Sequence, residues 1–153
     1  MDLPLPTRRA TTRLGQTLAA ALRPGDLVLL SGPHGSGKTF LARAICRALG
    51  VPHEVTVASP TFSLIHEFST PIGPLLHADL YRLEDPRAVA QLGLREALAE
   101  GAIALVEWGE RFAMELGADG LLIYLASEDQ GRTASILPLG PRGERLRTTL
   151  LFL

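Results

Sequence analysis

One stretch, Gly32-Pro33-His34-Gly35-Ser36-Gly37-Lys38-Thr39, constrains the fold more than any other. It fits Gly-x-x-x-x-Gly-Lys-Thr, the phosphate-binding loop of nucleotide triphosphatases. Its flanks agree with that reading. Leu27-Val28-Leu29-Leu30 is an uncharged apolar run, as expected of a buried parallel strand. Leu41, Ile45, Ala48 and Leu49 recur at helical spacing until Gly50, a C-terminal stop. The glycines therefore fall between a strand and a helix, where such a loop must sit.

Each residue type in the loop has a chemical reason. Glycine at 32, 35 and 37 frees the backbone to approach phosphates without a Cβ in the way. The backbone N–H groups of Gly35, Ser36, Gly37, Lys38, Thr39 and Phe40, at a helix N-terminus, are the expected phosphate donors. Pro33 has no N–H and cannot donate. Lys38 can reach the β and γ oxygens, and the Thr39 hydroxyl can join the Mg²⁺ shell. The chain has fourteen arginines and one lysine, and that lysine is Lys38. A compact ammonium stands where a planar guanidinium would not fit.

The bulk composition narrows the rest. At 153 residues one domain is expected, long enough for a core but short for a lid or second domain. The formal net charge is −1, so no global field draws the chain onto nucleic acid, and any link to RNA is expected to run through a partner. The single cysteine, Cys46, excludes internal disulfides and a Cys-based zinc site. No apolar run reaches membrane length and no signal-peptide core is seen, so the expectation is a cytoplasmic protein without a membrane partner.

Taken in order, residues 1–10 read as an extended lead-in, and Thr11 or Thr12 as the cap of a helix with Leu14, Leu18, Ala21 and Leu22 on one face. After Gly50, Val55 to Val57 is β-like. The runs Ser63 to Phe68 and Leu75 to Asp79, joined across Pro71 to Pro74, suggest an antiparallel hairpin. Asp85-Pro86 caps and opens short helices through Ala99. Ala102 to Val106 reads as a second buried parallel strand. Leu121 to Ala126 and Thr133 to Leu139 flank a hairpin turn at Glu128-Asp129-Gln130-Gly131. Residues 140–153 read as a C-terminal helix. The expected fold is α/β: a P-loop NTPase-like three-layer domain over residues 1–153, with a mixed, mainly parallel central sheet and an antiparallel hairpin at the edges.

A triphosphate site also needs an acid at the carboxyl end of a buried strand. Asp79 and Glu107 both qualify. Glu107 has the cleaner apolar strand behind it and is the expected metal ligand; Asp79 is assigned to holding a metal-bound water or orienting the attacking one. Thr61, on a Pro-containing loop after the first helix of the site, stands where switch loops sense γ-phosphate. His34 reads as a solvated side chain, and His53, His66 and His77 show no metal-ligand spacing. Arg142, Arg145 and Arg147 read equally as a small basic patch or a solvated helix face.

Several separated motifs coincide with one family. The phosphate loop, Ser59-Pro60-Thr61-Phe62, Asp79-Leu80-Tyr81-Arg82-Leu83 and Val106-Glu107-Trp108 occur in that order, with Leu14-Gly15 upstream. From about Thr11 to Arg132 the chain resembles the TsaE family, bacterial ATPases required to make threonylcarbamoyladenosine in transfer RNA. The resemblance implies ATP and Mg²⁺ as ligands, with Lys38 on phosphate and Thr39 and Glu107 on the metal. It implies a switch-like Thr61, an Asp79 that serves hydrolysis and a Trp108 that supports the site. It also places Arg132 and the segment around Thr7 near the nucleotide. The implied partner is a TsaD–TsaB heterodimer, reset between turnovers by the ATP cycle, with tRNA contacted only indirectly. Pro33-His34, Ala78 and Gly109 depart from the usual family residues.

Two rival readings stay open at this level. Asp79-Leu80-Tyr81-Arg82 loosely resembles an element of nucleoside kinases, although Asp85 to Gly101 is short for an arginine-bearing lid. A nucleotide-gated adaptor with negligible hydrolysis has the same sequence signature. A GTPase does not, because its guanine-reading motif needs a second lysine.

Overall fold

The computed structural model describes residues 1–153. Seven strands form one sheet: β1 (Asp2–Leu5), β2 (Leu27–Ser31), β3 (Ile65–Thr70), β4 (Gly73–Asp79), β5 (Ile103–Glu107), β6 (Gly120–Glu128) and β7 (Gly131–Leu139), in spatial order β1-β7-β6-β2-β5-β4-β3. The inner pairings β6·β2, β2·β5 and β5·β4 are parallel. Antiparallel pairs β4·β3, β6·β7 and β7·β1 finish both edges. This is the mixed, mainly parallel sheet expected from the sequence.

Helices cover both faces. α1 (Arg8–Ala21), α2 (Lys38–Ala48) and α5 (Gly140–Thr148) lie on one side; α3 (Pro86–Gln91) and α4 (Leu94–Ala99) lie on the other. Strand alternation feeds both cores. Leu75, Ile103 and Leu105 face α1 and α2, while Leu76, Ala78, Ala104 and Val106 face α3 and α4. Strands buried on both faces carry no polar alternation, which is why β2 and β5 read as unbroken apolar runs. At the seam of α1 and α2, a Cβ on Gly15 would stand 2.7 Å from the Ala44 Cβ, so glycine sets how closely these helices approach. No helix is long and apolar enough to cross a membrane.

The structure corrects five expectations. α1 begins at Arg8, not after Thr11 or Thr12; Thr7 is the cap and its Oγ1 accepts from the Ala10 N–H at 3.1 Å. Thr11 is buried inside the helix, so the inward face starts one turn before Leu14. Asp2–Leu5 is not a free lead-in but an edge strand on β7, where Pro4 is tolerated. Val55 to Val57 forms no strand. Arg47 takes up the carbonyls of Val51, Pro52 and Val55, and Arg43 Nε donates to Val57 O at 3.0 Å, so side chains replace a ladder. The last helix ends at Thr148, with Leu150 buried beyond it and Phe152 exposed. Finally, Arg142 and Arg145 are neither a patch nor a solvated face, because both hold the buried Asp26.

Candidate nucleotide site

The carboxyl ends of the parallel strands meet the N-terminus of α2 at one cleft of about 370 Å³. Its lining includes His34, Gly35, Gly37, Lys38, Thr39, Ser59, Thr61, Asp79, Tyr81, Arg82, Glu107 and Trp108. β2 delivers the loop, which turns through left-handed Gly35 and Gly37 (φ 79° and 104°) into α2. Gly32, at φ 131°, has no room for a side chain: a Cβ there would strike the Leu125 carbonyl oxygen.

Lys38 is nearly buried. Its Nζ donates to Gly32 O at 2.6 Å and Pro33 O at 2.9 Å. Burial pushes its pKa below the ordinary lysine value, opposed by the fields of Glu107, Glu110 and Asp79. The Trp108 ring lies 4.4 Å from Nζ. Trp108 itself has a left-handed backbone (φ 59°), a conformation that costs on the order of 1–3 kcal/mol in a non-glycine residue. Its ring also meets His34 at 5.0 Å and Tyr81 at 4.9 Å. His34 is exposed but not free in solvent, since it also packs edge-on against Tyr81 at 4.6 Å.

Glu107 and Asp79 are direct neighbours across the β4·β5 register. Thr39 Oγ1 donates to Glu107 Oε1 at 2.9 Å, and His77 Nε2 meets Glu107 Oε2 at 2.6 Å. Asp79 Oδ1 accepts from the Tyr81 N–H at 2.9 Å, and Oδ2 accepts from the Ser59 hydroxyl. Ser59 belongs to the loop that carries Thr61 into the cleft. No group of three or more His, Cys, Asp or Glu forms a metal cage. Two adjacent hard oxygens, Thr39 Oγ1 and Glu107 Oε1, are what Mg²⁺ needs when phosphates and water complete its shell.

The remaining expected residues are placed as follows. Ser36 is fully buried, and its Oγ has no partner. Arg132 borders the loop: Nη2 donates to Gly35 O at 3.4 Å, and Nε is buried without a partner. Phe40 lines a groove between α1 and α2, outside the cleft. Thr7 caps α1 and is not part of the cleft lining. Sequence reasoning passed over His77 because it sought metal-ligand spacing. The usable signal was period two along β4, which sets Leu75, His77 and Asp79 on one face.

Comparison with known proteins adds lineage. A family profile described as "Threonylcarbamoyl adenosine biosynthesis protein TsaE" matches residues 5–134. The chain is similar to the tRNA threonylcarbamoyladenosine biosynthesis protein TsaE of Rickettsia bellii, 40% identical over 106 residues that make up 69% of this chain and 72% of that protein. It is also similar to the protein of the same description from Bacillus subtilis, 34% identical over 137 residues, 89% of this chain and 84% of that one. The crystal structure of Bacillus subtilis YdiB superposes with a TM-score of 0.81 at 27% identity, covering 98% of this chain and 93% of the other.

Proposed function

The chain belongs to the TsaE family of tRNA threonylcarbamoyladenosine biosynthesis proteins, and from that premise we propose that it binds and hydrolyses ATP with Mg²⁺. The observation that carries this reading is convergence: Lys38, Thr39, Asp79 and Glu107, from one loop and two strands, line a single cleft.

The roles follow from chemistry. The loop N–H groups from Gly35 to Phe40 cradle phosphate, and Lys38 places a compact charge on its outer oxygens. Thr39 and Glu107 hold the metal, which when bound neutralises charge on the phosphate oxygens. Asp79 is clamped by Tyr81 N–H and Ser59 Oγ. Its remaining lone pairs orient the attacking water and accept its hydrogen bond. Because Ser59 lies two residues before Thr61, the same clamp ties the water-orienting carboxylate to the loop that senses γ-phosphate. Trp108 and Arg132 wall the phosphate end, and Thr7 contributes near the nucleotide only through the start of α1.

The reading extends to partners. As a single domain in the cytoplasm, the protein works on a TsaD–TsaB pair, its slow hydrolysis rising in the complex and permitting repeated turnovers. The near-neutral charge supports contact with tRNA through those partners and not directly. The test is ATP hydrolysis by the protein alone and with the TsaD–TsaB pair of its own organism, with Glu107→Ala as control. Slow turnover that rises with the pair and collapses in the variant is expected. No binding to the pair and no change in rate would remove the partner reading.

A further inference from the structure

His77 serves no step derived so far, yet it is fully buried and meets Glu107 Oε2 at 2.6 Å. Its other ring nitrogen, Nδ1, is buried and has no hydrogen-bond partner. A carboxylate only accepts, so the proton between them lies on Nε2 and is donated to Oε2. Oε1 is left toward Thr39 and the cleft. A glutamate without this contact could rotate about its terminal bond and present either oxygen, or swing away from Thr39. An imidazole fixed in the sheet removes that freedom.

We propose that His77 is a positioning residue that orients Glu107 toward the metal, so that Mg²⁺ affinity, not nucleotide affinity as such, depends on it. The reasoning is that of outer-shell partners generally, which fix a ligand's orientation and whose loss weakens metal binding about 10- to 100-fold. The proposal rests on the reading of Thr39 and Glu107 as the metal ligands.

The test is calorimetric titration of the protein with a non-hydrolysable ATP analogue, in EDTA and across a series of Mg²⁺ concentrations. In His77→Leu the affinity in EDTA should stay within about 2-fold, while the Mg²⁺ concentration that half-restores tight binding should rise about 10- to 100-fold. His77→Gln, whose amide nitrogen overlays Nε2, should recover most of the loss. His77→Asn, whose amide overlays Nδ1, should not. In a Glu107→Gln background, His77→Leu should have little further effect. If His77→Leu does not fold, the Gln and Asn variants decide by the same criterion. An equal loss with and without metal, an unchanged Mg²⁺ dependence, or identical Gln and Asn variants would overturn the proposal. Wild-type protein whose nucleotide binding ignores Mg²⁺ would overturn the metal assignment as well, and so separates the two failures.

Discussion

Asp26 and Glu107 are carboxylates at equal depth, one entering the parallel sheet and the other leaving it. Asp26, just before β2, is fully buried and saturated: Oδ2 accepts from Arg23 N–H at 2.8 Å, Arg142 reaches Oδ1 at 2.9 Å, and Arg145 reaches both oxygens. Glu107, ending β5, is 2% exposed, and only a hydroxyl and an imidazole hold it. The nearby Lys38 spends its protons on Gly32 and Pro33 carbonyls. Two guanidiniums close the first site and pin α5 under the sheet. The second leaves Oε1 toward Thr39 and the cleft, where the proposed Mg²⁺ would sit. Depth and residue type do not separate a structural acid from a candidate metal ligand; the partners do.

That contrast can be broken by substitution. Asp26→Ala should cost about 1.5–3 kcal/mol in urea denaturation, because two partly exposed guanidiniums and the Arg23 N–H lose their shared buried acceptor, while turnover per folded molecule stays as in wild type. Lost turnover at full occupancy of the fold would mean that the two ends are coupled. Glu107→Gln should do the reverse: ATP hydrolysis should fall about 10²–10³-fold, with a melting temperature equal to or above wild type, since the buried charge is gone while an amide oxygen still accepts from His77 Nε2. A melting temperature that drops with activity would make Glu107 structural after all. Gly15→Ala sharpens the comparison from neutral ground. Overpacking against Ala44 should destabilise by about 1–3 kcal/mol and leave hydrolysis intact.

The smallest effect should come from Cys46, whose thiol is pushed up from 9.0 to about 12 by burial, with the Arg47 charge opposing. The folded pKa lies above the unfolded one, so its contribution to stability is whole below pH 9 and fades as pH rises toward 12. Cys46→Ala should therefore flatten the alkaline limb of the stability profile and, at neutral pH, cost only about 1 kcal/mol for the lost buried sulfur. Iodoacetamide labelling at a rate independent of unfolding would contradict the burial.

How much of this was legible in the sequence depended on distance along the chain. Strands β2 and β5 and the short hairpins announce themselves through local runs and turns, as do Lys38 and Thr39 through their loop. Glu107 and Asp79 are legible one step later, as acids ending apolar strands. The pairing of β1 with β7 joins Asp2 to Ser135, and nothing local in either segment encodes it. Arg145 on Asp26 and His77 on Glu107 are likewise tertiary choices. The Thr7 cap was hidden by Thr11 and Thr12, two equally good capping residues inside the helix. At Val55 to Val57 the β propensity was real, but arginine side chains had already taken the carbonyls.

The position of Trp108 has a practical consequence. It is the only tryptophan in the chain, so the protein's indole emission originates at a single point, 4.4 Å from the Lys38 ammonium. Whatever draws that ammonium away from the ring toward a bound anion changes the electric field on the chromophore. If nucleotide binds as proposed, its arrival should therefore shift the intrinsic fluorescence of the protein, an unlabelled gauge of occupancy in real time.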